Sequence, residues 1–181
     1  MRTIHHPALG VRTAGDGPAT PGLAVVIDGG RIAALGPYET VLGRYGGDGG
    51  ARVRAWDGVL EPGRYAADAA ELLEGRYWPD PREAAEFGTG PLPAASVAMT
   101  DTRWGASARR GVQRLLARGV TAVAGPFARP QVAAAVRRAG LRARAAALAE
   151  GGAADFAVFP AKGADESLAT VLAGRLVHRR A

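Results

Sequence analysis

The sequence predicts a mixed α/β fold. Three observations carry this: β-rich runs at both chain ends, a helix–strand–helix pattern between them, and Gly or Pro punctuating nearly every element. The expected arrangement is a small β-sandwich lobe from residues 1–60 and 151–181, with an α/β insert over 61–150.

The opening "RTIHHPALGV" reads as an edge strand. In "LAVVIDGGRIAAL", residues 23–35, two apolar runs flank Asp28-Gly29-Gly30, which supplies the positive φ a tight hairpin needs. Gly36-Pro37 stops the second run. "GGDGG", residues 46–50, reads as a mobile loop; it has neither the lysine nor the strand–helix setting of a phosphate-cradling P-loop. "ARVRAWDG" reads as a further strand.

From residue 66 to 88 the pattern turns helical. "AADAAELLEG" is rich in helix formers and ends at Gly75. "DPREAAEFG" has Asp80 as N-cap, Pro81 at the first helical position and Gly88 as its stop. "GTGPLPAA" reads as a loop. "SARRGVQRLLARG" is an amphipathic helix with Val112, Leu115 and Leu116 on its apolar side. "VTAVAGP" is a short strand apolar enough to be buried on both faces. "RPQVAAAVRRAG" is a second helix, and "LRARAAAL" reads as a strand. The runs "GGAADFAVFP" and "LATVLAGRLVHRR" return to β character.

Composition narrows the function. The 181 residues hold no cysteine, which excludes disulfides and thiolate chemistry. The net charge of +6 comes almost wholly from arginine, with Lys162 the lone lysine, as a GC-rich coding bias would produce. The arginines are spread along the chain, largely on the solvent sides of helices, and aromatics are not interleaved among them. No nucleic-acid partner is expected. No apolar run reaches membrane-span length, and "MRTIHHPALGV" lacks the core of a signal peptide, so a cytoplasmic protein without membrane partner is expected.

Several motifs together resemble the amidohydrolase superfamily, in its imidazolonepropionase-like and cytosine-deaminase-like branches. "VVIDGGRIAALGP" resembles the opening hairpin. "VLEPG" resembles the passage from the sandwich into the first barrel strand, and "RLLARGVTAVAG" a helix and second strand. "GGAADFAVFP" and "ATVLAGRLVHRR" resemble the return to the sandwich. The resemblance implies a truncated (β/α) barrel remnant of about three strands within 61–150. It also implies a divalent metal, held by a His-x-His pair after the first strand, that activates water against a C–N bond. The pair should fall near positions 68 and 70, where this sequence has Asp68 and Ala70. The later strands that would bring the other ligands are missing between "LRARAAAL" and "GGAADF". No metal and no cofactor are therefore expected.

The remaining polar residues have competing readings. His5 and His6 are adjacent on a strand and point to opposite faces, which argues for packing rather than ligation. His178 reads as an exposed strand residue, and Asp155 as structural. Asp68, Glu71 and Glu74 share one helix side and read as a solvated acidic face, the alternative being acid–base work or cation binding. In "MTDTRWGAS", Asp101, Arg103 and Trp104 form a polar-aromatic cluster before a helix. It serves either as a cap with a packed Trp or as a ligand-contacting loop, with Tyr65 a second ligand-binding aromatic. Tyr77 and Trp78 read as core or interface residues.

The chain is read as a divergent imidazolonepropionase-like homologue without the metal site, acting as a non-catalytic binding or accessory protein. One alternative is a hydrolase of non-peptide C–N bonds in a cyclic amide, imidazolone or nucleobase-like substrate. Its site would be completed by a partner chain, or would work without metal through Asp68, Asp101 and Arg103. Another is a sensor or carrier of a small heterocyclic ligand. An open barrel exposes strand edges, so a homodimer is expected to cover them.

Overall fold

The computed structural model describes residues 1–47 and 50–180. The strand order along the chain is β1 (Arg2–Pro7), β2 (Leu23–Asp28), β3 (Arg31–Pro37), β4 (Arg52–Trp56), β5 (Val59–Pro62), β6 (Arg64–Ala66), β7 (Arg76–Tyr77), β8 (Leu92–Pro93), β9 (Val120–Val123), β10 (Phe156–Phe159), β11 (Ala169–Leu172) and β12 (Arg175–Arg179). The helices are α1 (Tyr38–Tyr45), α2 (Ala84–Phe87), α3 (Asp101–Ala117) and α4 (Pro130–Ala139).

The two chain ends build two facing four-stranded sheets. One has the order β3-β2-β1-β4, the other β12-β11-β10-β5. The β2–β3 hairpin turns at Gly29-Gly30, and Gly29 adopts a φ of 59°, as the turn requires. Apolar residues pointing inward from both sheets, among them Val25, Ile27, Leu60, Phe156 and Val158, form the inter-sheet core. β1 is an interior strand rather than an edge. It pairs antiparallel with β2 and parallel with β4, because the chain returns alongside β1 after α1. The Gly-rich stretch 46–50 includes residues 48 and 49, which lie outside the described residues.

The second sheet is also the floor for the insert. α3 packs against β11, β12 and β9. Buried hydroxyls tie the layers together: Thr170 Oγ1 donates to the Leu116 carbonyl at 2.6 Å, and Ser167 Oγ to that of Ala117 at 3.0 Å. The other face of α3 holds Leu73, Ala69 and α4 residues such as Val132 and Val136 in a second core.

The insert departs from expectation in four places. The barrel remnant has two parallel strands, β6 and β9, not three. "LRARAAAL" contributes only Arg142, whose backbone bridges to β9 through Val123 N–H and Thr121 C=O. Arg142 Nε then binds Asp155 at 3.0 Å, and residues 143–147 run on largely exposed, with no strand beyond to pair with. The stretch 66–88 is not continuously helical: a single π-type turn, Glu71–Gly75, gives way to β7 before the α2 segment begins. "GTGPLPAA" is not only loop, since Leu92 and Pro93 form β8 against β7. Finally, α3 starts at Asp101, capped by Thr100 Oγ1, which accepts from Arg103 N–H at 3.2 Å. Asp101, Arg103 and Trp104 therefore lie in its first turn, not before it.

Candidate functional site

Parallel strands present their functional residues at their C-terminal ends. Here those ends are Ala66 and Val123. After Ala66 the chain turns at Ala67-Asp68; Asp68 is exposed, and its backbone carbonyl accepts from Leu72 N–H. Ala70, two residues on, has no donor atom. Tyr65, on β6, is 48% exposed.

The histidines are engaged elsewhere. His5 is buried between the sheets; its Nδ1 accepts from Trp56 Nε1 at 3.1 Å, and its ring meets Phe156 edge-on at 5.0 Å. Burial, with Arg54 nearby, lowers its pKa to about 3, so it stays neutral. His6 stacks on Tyr38 at 3.8 Å. His178 is half-buried on β12 rather than exposed; the pairing shift between Thr170 and Val171 alters the side-chain alternation there. Among the described residues, no three His, Asp or Glu side chains gather closely enough to hold a metal ion. The donor set at the strand ends does not fit the divalent metal that the resemblance implies.

The polar side chains do assemble in one place, where the 76–88 segment lies on α3. Asp80 and Glu83 close a capping box. Glu83 accepts from the Tyr77 hydroxyl, from Asp80 N–H at 3.1 Å and from Arg103 Nη2 at 3.1 Å. The Tyr77 hydroxyl holds the Glu83 carboxyl below its ordinary pKa, and burial pushes the Tyr77 phenol up. Arg103 also lies over the rings of Tyr77 and Phe87. Arg110 reaches the Trp78 carbonyl at 2.7 Å and Asp80 at 3.4 Å. Every acceptor of Glu83 is engaged within the chain, so this cluster clamps the segment to the helix.

The structure thus brings together Arg103 and Glu83, a partner not singled out from the sequence. Among the described residues, neither is linked to Asp68 by hydrogen bond or ion pair. Asp101 is exposed. Trp104 is buried in the insert core, with the Arg129 guanidinium 3.9 Å over its ring. Glu71 pairs with Arg76, and Glu74 accepts from Arg129 N–H at 2.7 Å, so the acidic side of the 68–74 stretch is divided among separate partners. In "VLEPG", Glu61 is held by buried Arg12, which also donates to the Gly17 carbonyl. Asp155 is buried and accepts from Ala173 N–H and Arg142, a structural role.

The chain is similar in fold to an adenosine deaminase from Xanthomonas campestris with bound zinc, at TM-score 0.52 and 19% identity, over 79% of this chain and 33% of that one. It is similar to the aminofutalosine deaminase of Helicobacter pylori, at TM-score 0.51 and 14% identity, over 78% of this chain and 32% of that one. It spans about one third of the length of these proteins, and identities at this level speak to the fold alone. No curated protein matches the chain. A family profile described as the imidazolonepropionase-like composite domain of bacteria matches residues 24–47, the β2–β3 hairpin and α1. Residues 24–47 are thus similar to an imidazolonepropionase-like composite domain, and the chain shares part of its fold with these two deaminases.

Proposed function

We propose that the protein is a divergent amidohydrolase homologue that acts as a binding or accessory protein rather than a metal-dependent hydrolase. One observation supports this most: the C-terminal ends of β6 and β9 present Ala66, Asp68, Ala70 and Val123, while His5, His6 and His178 all belong to the sandwich strands. Water activation by a divalent metal needs several imidazole or carboxylate ligands converging on one point. Division into a sandwich lobe (1–60 and 151–181) and an insert (61–150), a cytoplasmic location and a homodimer that covers the open edge and apolar face at "VTAVAG" and "LRARAAAL" belong to the same reading.

Assays of adenosine, guanine and imidazolone substrates with added zinc test it. No turnover above a heat-denatured control is expected. Turnover that chelation abolishes would overturn the reading. Sedimentation at micromolar concentration should give a dimer; a monomer would remove that part. The alternative metal-free mechanism through Asp68, Asp101 and Arg103 has less support, since Arg103 is committed to Glu83 and, among the described residues, no side-chain hydrogen bond or ion pair joins the three.

A further inference from the structure

A groove of ≈ 320 Å³ runs between α3 and α4, lined by Gly105, Arg109, Pro130, Gln131, Ala134 and Arg138. No carboxylate lines it. Arg109 comes from α3 and Arg138 from α4, and neither is in an ion pair among the described residues. Their neighbours on α3 behave differently: Arg103 is paired with Glu83, and Arg110 with Asp80. Arg109 Nη1 lies 3.7 Å from where a Cβ on Gly105 would sit, so the guanidinium folds over the turn below it. Gly105 and Ala134 keep the groove open, since larger side chains would fill it.

We propose that this groove binds a small phosphate monoester. A phosphate dianion offers several oxygens and can engage guanidinium groups from two walls at once, whereas a monocarboxylate is satisfied by one fork. Gln131 adds a side-chain amide on the α4 wall. Pro130 and Ala134 give an apolar surface for the organic part of the ester, and the volume falls at the lower end of small-molecule sites, roughly 300 Å³. The groove uses no residue of β6 or β9 and stands whether or not the chain retains catalysis.

Titration calorimetry of the full chain at low salt tests the proposal, with phenyl phosphate, inorganic phosphate and a short single-stranded oligonucleotide as probes. Phenyl phosphate should bind one to one and more weakly as salt is added. Arg109→Ala and Arg138→Ala should each weaken it at least tenfold, while Arg137→Ala, exposed on α4 outside the groove, leaves it within twofold. Both groove arginines are exposed, so melting temperatures should not change. Four results would overturn the proposal: no binding at millimolar phenyl phosphate, binding unaffected by either groove variant, equal affinity for inorganic phosphate, or tighter binding of the oligonucleotide.

Discussion

The sandwich and the insert solve the burial problem differently. In the sandwich, two four-stranded sheets face each other, and Val25, Leu60, Phe156 and Val158 lose essentially all contact with solvent. In the insert, β6 and β9 are too short and too few to make a layer of their own. β6 pairs with β9, β9 packs on α3 and β11, and Ser167 and Thr170 fasten the end of α3 to the second sheet. A two-stranded parallel β/α unit persists here because a neighbouring sheet supplies the wall that a closed barrel would provide. What it does not recover is a ring of strand ends converging on one point, and a metal site needs that ring.

The contrast can be probed by cutting each core. Phe156→Ala in the sandwich should cost about 3–5 kcal/mol, since facing sheets cannot collapse onto the void. Leu73→Ala in the insert should cost less, about 2 kcal/mol, because a single turn can settle against α3. Denaturant unfolding of both variants reads the difference; equal costs would mean the insert is as tightly built as the sandwich.

Acid should act on the sandwich next. His5 is neutral and buried when folded, but takes a proton when unfolded once the pH drops below about 6.5. The unfolded state therefore binds more protons between about pH 6.5 and 3. Stability should fall as pH falls across that window, with a slope of up to about 1.4 kcal/mol per pH unit. His5→Asn should remove this slope, whatever it does to stability at neutral pH.

Within the insert, Glu83→Gln should loosen residues 76–88 without unfolding the chain, read as faster amide hydrogen exchange there. Because the Glu83 carboxyl is held below its ordinary value of 4.5, the clamp is fully present above that pH and is lost as pH falls further. Unchanged exchange would show that packing alone holds the segment. The smallest effect is expected from Asp68→Ala, within about 0.5 kcal/mol of the parent, as for other exposed positions.

Local chemistry explains how much of this was legible in the sequence. Asp28-Gly29-Gly30 specified its hairpin because few other residues allow that turn, and Asp80-Pro81 marked a helix start through capping. Strand β6 is reached only through the resemblance of "VLEPG" to the passage into a first barrel strand, because three residues between Gly63 and an alanine-rich run show no period of their own. "LRARAAAL" has strand composition but lacks the partner that makes a strand. α1, "YETVLGRY", carries no clear helix signal in the sequence, because Gly36-Pro37 and Gly43 both read as breaks. At the site, the absence of ligands at positions 68 and 70 was visible directly. The union of Arg103 with Glu83, 20 positions away, was not, since it arises only when the 76–88 segment folds onto α3.

On the proposed reading, the chain keeps part of a deaminase-like fold without a metal centre. Metal stoichiometry of the purified protein, after incubation with excess zinc and exhaustive dialysis, tests it most directly. Well under one tenth of an equivalent of bound metal is expected, with a melting temperature unmoved by chelator. About one tightly held equivalent per chain, with a melting temperature that falls on chelation, would contradict it.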